Sequence, residues 1–349
     1  MSRVSDATAA LIEERVVWLD SEMEAAIASA SPDLELYRWA RYHLGWHSQK
    51  LEPLSAADRR KHGGKRLRGV LTLLAAEGVG GDGPAAAAGG AAVEFIHNFS
   101  LVHDDVEDND EERRHRPTVW KLWGIPHAIN VGSNMQALVD IALLRLADRY
   151  PAERVVSAFR TLTHATLRMT EGQFLDMSAE NSTEVTVERY FRMTGGKTAA
   201  LIEGALRLGG QLGGAALDRA ERLAEFGRHF GLAFQCCDDY LGMWGRTEVT
   251  GKPVAADLIQ GKRSLPMVHA LVSAPADTGA GARLRTALAE RDVPAADGLM
   301  RELGTPTWVL ERAEEHTRLA LESLTAAELA EPFGGAIRDI AQYALQRDS

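Results

Sequence analysis

An acidic motif at the end of an apolar stretch is the feature of this sequence most suited to chemistry. The segment FIHNFSLVHDDVED closes its apolar part with Asp104, Asp105 and Asp108. On a helix, Asp104 and Asp108 share one face, with about 5–6 Å between their Cβ atoms. Carboxylates this close repel each other, so the pattern predicts a cation between them. Oxygen ligands favour Mg²⁺, which typically binds one or two carboxylates together with substrate phosphates.

Two arginines follow the acidic motif within a few residues. Arg113 and Arg114 carry guanidinium groups, which match the geometry of phosphate oxygens. Acids and bases this close together indicate a metal-bridged diphosphate site. A solvated charged face is the alternative, and it is disfavoured because the acids directly continue an apolar helical run.

Three further segments combine glycine, basic and acidic residues in a similar way. HGGKR precedes a predicted helix and places Lys65 and Arg68 on one helical face, where backbone N–H groups can also meet an anion. GGKT contains Lys197 and Thr198, and FQCCDD repeats the form of the first motif, an apolar helix that ends in paired aspartates. Each segment alone is a weak signal, but together they predict a cavity with acidic rims for metal ions and cations for phosphate.

The elements that position these residues are predicted to be helices throughout. Helix formers dominate, apolar residues recur at helical spacing, and β-branched residues never alternate for long. The predicted helices span about 6–30, 33–50, 84–109, 127–149, 151–179, 186–212, 217–243 and 262–273, with another from near Lys65. Residues 53–64 and SAPADTGAGA are predicted to be loops, and three shorter helices end near Arg347. We expect one all-α domain over residues 1–349, a helical bundle around a deep central cavity.

Composition limits the classes of partner. The chain has 349 residues and a net charge of −10, which disfavours general nucleic-acid binding. Its two cysteines, Cys236 and Cys237, are adjacent and form no disulfide framework, which indicates a reducing cytoplasm. We expect no signal peptide and no membrane span, because no apolar run approaches about 20 residues.

The motifs, taken in order, resemble those of the trans-isoprenyl diphosphate synthases, the polyprenyl synthetase family. The sequence reads GGKRLR, DDVEDNDEERRHRPT, GKT and FQCCDD over roughly residues 60–270, and it is similar to actinobacterial members. The resemblance implies an isoprenoid synthase fold, usually a homodimer. It also implies Mg²⁺-dependent condensation of isopentenyl diphosphate with an allylic diphosphate, with three ions per site and Mn²⁺ as a substitute.

The resemblance also implies a role for each motif residue. Isopentenyl diphosphate would be bound by Lys65, Arg68, His97 and Arg114. The metal ligands would be Asp104, Asp108 and Asp238, with Asp105 and Asp239 in support. The allylic diphosphate would be bound by Arg113, Lys197, Lys252 and Lys262, and the reacting carbons would lie near Thr198, Gln235, Gln173 and Asp176.

Four positions depart from the family pattern. Gly69 stands in place of a proline, Ser133 in place of an aspartate and Arg246 in place of an acid. Gly242 stands where the second acidic motif often has its third aspartate, although members with D-D-x-x-G followed by T-G-K-P also occur. These changes bear on rate and substrate preference more than on the fold.

Product length is predicted from the residues that precede Asp104. Phe99 lies five residues earlier, about one and a half helical turns deeper, and Ser100 lies four earlier. In a chain that resembles this family, an aromatic ring at this depth with a small neighbour favours a C15–C20 product, in particular geranylgeranyl diphosphate. Ordinary core packing is the alternative role for Phe99.

Two other functions remain open at this stage. A terpene cyclase or specialised prenyltransferase on the same fold would lose the isopentenyl site, yet Lys65, Arg68, His97 and Arg114 are all present. A non-catalytic partner subunit of an active homologue would lose the first acidic motif, which this chain keeps. An elongating prenyl synthase is therefore the leading hypothesis.

Overall fold

The computed structural model describes residues 4–30, 33–179, 186–245 and 255–345, and nearly all of them are helical. The longer helices are α1 (Asp6–Ala28), α4 (Leu67–Gly78), α5 (Gly83–Glu107), α7 (Ile125–Arg145), α8 (Ala152–Ala179), α10 (Ala200–Leu212), α11 (Leu217–Trp244), α14 (Gly279–Glu290), α15 (Val293–Glu302), α16 (Thr305–Ala326) and α17 (Phe333–Leu345). The shorter ones are α2 (Glu35–His43), α3 (Ala56–His62), α6 (Val119–Trp123), α9 (Val187–Thr194), α12 (Ala256–Gln260) and α13 (Leu265–Ser273), with a 3₁₀ turn at Leu146–Asp148. The all-α prediction is confirmed.

Helix α5 lies at the centre of the bundle, in contact with α1, α4, α7 and α10. Its first half is rich in alanine and glycine, and it begins after Asp82, whose side chain accepts a hydrogen bond from the backbone N–H of Ala85. A Cβ at Gly89 would lie 2.6 Å from Leu212, and one at Gly90 would lie 2.6 Å from Leu19. The glycine pair therefore permits close helix packing, as predicted, and fixes the axis that carries the first acidic motif.

The other motif-bearing helices surround this axis. Helix α10 packs against α4, α8 and α11, and α16 covers a further side of α11. The C-terminal ends of α5 and α11 carry the two aspartate motifs. A cavity of about 910 Å³ lies between α11, α16 and α17, lined by Cys237, Leu241 and Leu310 among others. It lies on the face of α11 opposite Gln235 and Asp239.

Several predicted boundaries are wrong. The helix predicted over 33–50 ends at His43, because Gly45 takes φ +78 and turns the chain. Residues 56–62, predicted as a loop, form α3 behind a capping Ser55. The SAPADTGAGA segment already contains the start of α14, and the C-terminal part holds four described helices, of which α16 is 22 residues long.

The helix predicted over 186–212 is interrupted. Helices α9 and α10 are joined by a π-helical segment, Gly195–Ala199, which contains the GGKT motif. A Cβ at Gly172 of α8 would lie 2.6 Å from the carbonyl carbon of Gly196. The glycines therefore serve the close crossing of α8, and π-helical segments of this kind are frequent at functional sites.

Within the described ranges, no helix has the length and apolarity that crossing a membrane requires.

Candidate active site

The first acidic motif occupies the last turn of α5. Asp104 is partly buried and Asp108, one turn later, is exposed at the helix end. Burial raises the pKa of Asp104 to about 7; the charge of Lys197 opposes this rise, whereas Glu107 and Asp108 add to it. Burial also raises the pKa of Asp108, against the charges of Lys197 and Lys262. The charge of Lys197 therefore acts on both carboxylates, and that of Lys262 acts on Asp108.

Asp105 faces away from this pair. Its side chain is only 1% exposed, and its Oδ1 accepts a hydrogen bond of 2.5 Å from Nε of Arg113. Burial raises the pKa of Asp105 to about 6, against the favourable charge of Arg113. Its Oδ2 atom is buried without a hydrogen bond among the described residues. Asp105 therefore fixes Arg113 in place.

A two-residue hairpin presents the arginine pair. Strand β1 (Glu112–Arg113) pairs antiparallel with β2 (Arg116–Pro117), and Arg114 and His115 between them have φ 53 and 59. Two consecutive positive φ values are the mark of a type I′ turn. The turn directs Arg114 over Gly64, where a Cβ would lie 2.7 Å from the guanidinium carbon. Gly64 thus permits this contact.

The predicted isopentenyl diphosphate residues lie on adjoining elements. Nη1 of Arg68, on α4, lies 3.3 Å from Nε2 of His97 on α5. Burial, followed by the charges of Arg68 and Arg114, holds the pKa of His97 well below its usual value, so the ring is neutral. Burial also lowers the pKa of Arg114 to about 10. Three of the four predicted residues therefore form one cationic pocket around a neutral imidazole.

Lys65, the remaining predicted residue, is exposed and contacts the C-terminal helix. Its Nζ is 3.4 Å from the hydroxyl oxygen of Tyr343, on α17, and 4.8 Å from the centre of that ring. Arg66 has a different role, because it is buried and forms an ion pair of 3.0 Å with Asp20. The GGKRLR motif therefore contains one arginine that stabilises the fold, Arg68 beside His97, and a lysine that contacts α17.

The π-helical segment supplies the next cation. Nζ of Lys197 lies 2.5 Å from Oδ2 of Asp176 on α8. Burial opposes its charge, but Asp176, Asp104 and Asp108 outweigh burial and raise the pKa of Lys197. On the neighbouring turn of α8, Gln173 donates to Oε2 of Glu107 at 2.6 Å, which holds α8 against the end of α5. Lys197 is thus a permanent cation beside the first acidic motif.

A hydrogen-bond chain connects this segment to the second acidic motif. Oγ1 of Thr198 donates to Oε1 of Gln235 at 2.9 Å, and Nε2 of Gln235 donates to Oδ1 of Asp239 at 2.8 Å. Oδ2 of Asp239 accepts from the Tyr190 hydroxyl and from the backbone N–H of Leu265, both at 2.7 Å. Asp239 is 6% exposed, and burial raises its pKa to about 7. It therefore joins α9, α11 and α13, while Asp238 beside it is exposed.

The departures from the family pattern have specific surroundings. The backbone N–H of Gly69 donates to Oε1 of the buried Glu94 at 2.8 Å, a bond that proline cannot make. Ser133 is exposed on α7, and its neighbour Gly132 makes room for the ring of His103. Two residues named from the sequence, Lys252 and Arg246, lie outside the described residues.

The residues before Asp104 occupy different faces of α5. Phe99 is 7% exposed, and its ring meets that of His103 edge to face, with 5.9 Å between the centroids. The His103 ring in turn lies against Gly132 of α7. Ser100 shares the face of Asp104, one turn earlier, and its hydroxyl is bonded to the carbonyl of His97. Phe99 therefore packs towards α7, and Ser100 places a small side chain one turn before Asp104.

The donor set fits a hard divalent cation. The acidic motifs offer only oxygen ligands, and burial raises the pKa of Asp104 to about 7, so that a bound cation would favour its charged form. Within the described ranges, no three acidic, histidine or cysteine side chains are arranged to hold a metal by themselves. Mg²⁺ usually completes its shell with water and substrate phosphates, so two carboxylates beside a diphosphate suffice.

Sequence reasoning missed several contributors. Tyr190 and Tyr343 carry no local signal, because their partners lie 49 and 278 residues away. His43, at the end of α2, lines a small cavity with Asp105 and Arg114. Burial and the nearby arginines hold its pKa well below the usual value, and its Nε2 has no partner among the described residues.

Comparison with known proteins leads to the same family that the sequence motifs indicate. The sequence profile of the Polyprenyl synthetase family matches residues 54–297, well over half of the chain. The chain is 36% identical to the (2E,6E)-farnesyl diphosphate synthase of Mycobacterium tuberculosis over 317 residues, which cover 88% of this chain and 85% of that one. It is 40% identical to the geranylgeranyl diphosphate synthase of the same organism over 291 residues, or 82% and 81% of the two chains.

Solved structures agree with these relatives. A polyprenyl synthetase from Streptomyces coelicolor superposes with a TM-score of 0.84 at 35% identity, covering 97% of this chain and 99% of that one. Geranylgeranyl pyrophosphate synthetase from Pyrococcus horikoshii gives 0.85 at 30% identity, covering 98% and 99%. The chain therefore belongs to the polyprenyl synthetase family, and its activity is that of a trans-prenyl diphosphate synthase.

Proposed function

We propose that this enzyme condenses isopentenyl diphosphate with dimethylallyl, geranyl or farnesyl diphosphate and releases geranylgeranyl diphosphate as its main product. One observation carries the proposal. A permanent cation, Lys197, lies beside the first acidic pair on α5, and its neighbour Thr198 is hydrogen-bonded through Gln235 to the second acidic motif on α11. A separate cationic pocket is built from Arg68, His97 and Arg114. Two diphosphate sites of different chemistry are what a condensation of two diphosphates needs.

The first site binds the allylic diphosphate. Asp104, Asp108 and Asp238 would hold Mg²⁺, three ions in the family pattern, with Mn²⁺ as a substitute. The metal would supply positive charge to the diphosphate as it departs. Lys197 adds a fixed charge, and Arg113 is held in position by Asp105. Lys262 lies near enough to Asp108 to lower its pKa, so it completes the rim.

The second site binds isopentenyl diphosphate. Arg68 and Arg114 offer guanidinium groups to its phosphates, and Lys65 adds a charge at the exposed edge. His97 remains neutral, so it can orient an oxygen without adding charge. None of these four residues is a carboxylate, so this site would bind its diphosphate through cations, which distinguishes it from the first site.

The reaction follows from this separation of charge. The bond between the allylic carbon and the diphosphate oxygen breaks, and the π electrons of isopentenyl diphosphate form the new C–C bond. The neighbouring carbon then loses a proton, which we assign to the released diphosphate. Thr198 and Gln235, bonded to each other at 2.9 Å, lie beside the first site and would hold the reacting carbons in line.

Chain length is set below the first acidic pair. Phe99 packs against His103 towards α7, while the small Ser100 lies under Asp104. The relatives include both farnesyl and geranylgeranyl synthases, so their names support C15 and C20 equally. We assign C20 because a small residue at position 100 leaves room for a chain longer than farnesyl.

We further propose that the enzyme is a cytoplasmic homodimer. An exposed apolar stripe follows α8 through Val156, Leu167 and Phe174, which is 69% exposed, and Leu144 adds to it from α7. Patches of this extent usually mark a protein interface. The thiols of Cys236 and Cys237 are free, which suits a reducing compartment. Sedimentation of the parent and of Phe174→Glu tests the dimer, which predicts that the variant becomes a monomer.

One assay tests the whole proposal. Purified protein, Mg²⁺ and isopentenyl diphosphate are incubated with each allylic primer, and the chain length of the products is read by mass spectrometry. Geranylgeranyl diphosphate from all three primers is expected. A cyclic hydrocarbon instead of a longer diphosphate would favour a cyclase, and no turnover without an added homologue would favour a partner subunit.

A further inference from the structure

A buried carboxylate lies beside the cationic pocket and belongs to neither acidic motif. Glu94, on α5, is 2% exposed and precedes His97 by three residues, so the two side chains share one side of the helix. Its Oε1 accepts a hydrogen bond of 2.8 Å from the backbone N–H of Gly69, the residue that follows Arg68 on α4. A Cβ at Gly69 would lie 2.9 Å from Cγ of Glu94. The carboxylate is therefore fixed against the turn of α4 that carries Arg68.

The charge of Glu94 acts on both arginines of the pocket. Burial lowers the pKa of Arg68, and the charge of Glu94 opposes this effect. Burial, followed by the charge of Arg66, lowers the pKa of Arg114 to about 10, and Glu94 again opposes the effect. Nε of Arg68 is buried without a hydrogen-bond partner among the described residues, so Glu94 offsets the charge of this arginine without occupying that donor. The donor stays available for a phosphate oxygen.

The bond changes of the proposed condensation show why such an opposing charge would matter. The allylic substrate loses its diphosphate, whereas isopentenyl diphosphate keeps its own. Each elongated product therefore begins with its diphosphate in the cationic pocket, and it must move to the metal-binding site before the next condensation. A geranylgeranyl product needs two condensations from geranyl diphosphate and three from dimethylallyl diphosphate. A pocket that bound the diphosphate too tightly would slow this transfer.

We propose that Glu94 is an internal counter-charge of the isopentenyl diphosphate pocket, which limits the hold of Arg68 and Arg114 on the diphosphate so that the elongated product can pass to the metal-binding site. This inference rests on the proposed function, since it assigns a further residue to the same pocket. The buried carboxylate acts by repelling the like charge of the diphosphate. The competing role is structural: the hydrogen bond to Gly69 holds α4 against α5, and the charge has no effect on binding.

Glu94→Gln separates the charge from the hydrogen bond, because the amide oxygen of glutamine can still accept from the N–H of Gly69. The variant should bind isopentenyl diphosphate about 5- to 30-fold more tightly than the parent, measured by isothermal titration calorimetry without metal. Its melting temperature without ligand should fall, because two buried arginines lose an opposing charge. Unchanged or weaker binding would contradict the proposal.

Steady-state rates with dimethylallyl diphosphate and Mg²⁺ test the transfer step. Glu94→Gln should lower the KM for isopentenyl diphosphate and also lower kcat about 3- to 10-fold, while products of one or two condensations accumulate. Damage to the fold alone would lower kcat without lowering that KM. A parent-like kcat together with tighter binding would overturn the proposed effect on transfer.

Glu77→Gln is the matched control for the loss of a buried negative charge. The side chain of Glu77 is 11% exposed and forms an ion pair of 2.7 Å with Arg15. It lies on the same helix as Arg68 but about 14 Å further along it. The variant should melt at a lower temperature and bind isopentenyl diphosphate like the parent. Tightening equal to that of Glu94→Gln would show that the effect does not come from the pocket, and the proposal would be wrong.

A second pair of variants keeps the test decisive if Glu94→Gln does not fold. Arg114→Gln removes one of the two cations that Glu94 opposes, so the double variant buries less unopposed charge. Glu94→Gln combined with Arg114→Gln should bind isopentenyl diphosphate more tightly than Arg114→Gln alone. Equal affinities would contradict the proposal.

Arg68→Gln and Arg114→Gln separate this inference from the proposed function. If both bind isopentenyl diphosphate more weakly than the parent while Glu94→Gln binds it no more tightly, the pocket is as proposed and only the role of Glu94 is wrong. If neither arginine variant loses affinity, the pocket itself is wrong, and the role of Glu94 is wrong with it. Weaker binding in both arginine variants and tighter binding in Glu94→Gln would establish the counter-charge.

Discussion

The two acidic motifs end their helices in similar sequences but in different surroundings. On α5, the charge of Lys197 acts on Asp104 and Asp108, whereas Asp105 is paired with Arg113. On α11, Asp238 is exposed, whereas Asp239 is buried and joins three helices through its hydrogen bonds. In each aspartate pair, one acid (Asp104 or Asp238) is the proposed metal ligand, and its neighbour (Asp105 or Asp239) stabilises the position of another element.

The neighbours of the two motifs differ as well. The first motif is followed by a hairpin that carries Arg113 and Arg114, so its acids and its arginines lie within one continuous segment. The second lies against Asp257 of α12, a helix that packs on α11. Its arrangement depends on the docking of a short helix and should be more sensitive to packing.

The largest expected effect is at the first motif. Asp104→Asn, and separately Asp108→Asn, should reduce turnover by about two to three orders of magnitude, because each removes a ligand from the charged end of α5. The fold should remain, since the variants also remove repulsion between close carboxylates. Steady-state rates at saturating Mg²⁺ and circular dichroism check both parts. Near-parent turnover in either variant would remove the basis for the metal site.

The cationic pocket should respond differently from both acidic ends. Lys65→Ala should raise the KM for isopentenyl diphosphate about tenfold or more, because a charge-assisted contact to a phosphate is lost. The KM for the allylic substrate should hardly change. Lys61→Ala, an exposed lysine at the end of α3, is the matched control. Equal rises in both constants would contradict the assignment of two separate sites.

The division of work on α11 predicts a difference between neighbours. Asp239→Ala should destabilise the protein by about 1–3 kcal/mol for each buried donor left unpaired, here the Tyr190 hydroxyl and the Leu265 N–H. Asp238→Ala should reduce turnover while the free energy of unfolding changes by less than about 0.5 kcal/mol. Urea denaturation measures both. Equal stability of the two variants would mean that the buried network is dispensable.

The sequence predicts helix faces well because they depend on local spacing. The shared face of Asp104 and Asp108, and the close packing at Gly89 and Gly90, follow from the helical period alone. The order of the motifs was sufficient to identify the family. Its members share a fold, so the all-α architecture followed too.

Features that depend on tertiary contact were not predictable in the same way. The hairpin turn at Arg114 and His115 lacks the glycine or asparagine that marks such turns, so no local signal exists. The π-helical segment around Lys197 depends on the crossing of α8 at Gly172, a helix that precedes it by some 25 residues. The carboxylate beside Gly242 comes from another helix. Each of these needs two distant segments to be placed together first.

A smaller effect, on the length of the product, is expected at Phe99, which precedes the first acidic motif on α5. Phe99→Ala should lengthen the products by at least one C5 unit if the ring closes the end of the chain-binding space, since an apolar void takes up an apolar chain. Phe95→Ala, at a fully buried position four residues earlier, is the matched control. It should lose about 3–5 kcal/mol of stability and keep the parent products. Unchanged products from a strongly destabilised Phe99→Ala would make Phe99 a core residue.

The smallest expected effect is a change in how the stability of the metal-free protein depends on pH. The pKa of Asp104 is about 7 when folded and near 4 when unfolded, so the folded state binds more protons between these values. This contribution to stability is complete below about pH 4 and is lost as the pH rises through 7. Melting temperatures with EDTA from pH 5 to 8 should therefore fall with rising pH, and the slope should be shallower in Asp104→Asn.

Part of that slope should remain in the variant, because burial also raises the pKa of Asp239 to about 7 at the other acidic end. Mg²⁺ with inorganic diphosphate should reverse the contribution of Asp104 to this slope, because a bound cation favours its charged form. The contribution of Asp239 should not change, because its oxygens are already bonded to Tyr190, Leu265 and Gln235. The ligand-dependent part of the slope thus reports the acids that face the proposed site, Asp104 and Asp108, and the remainder reports the buried acids Asp105 and Asp239, which hold other elements. An identical slope in Asp104→Asn and the parent would show that the two acids on α5 and α11 are not divided in this way.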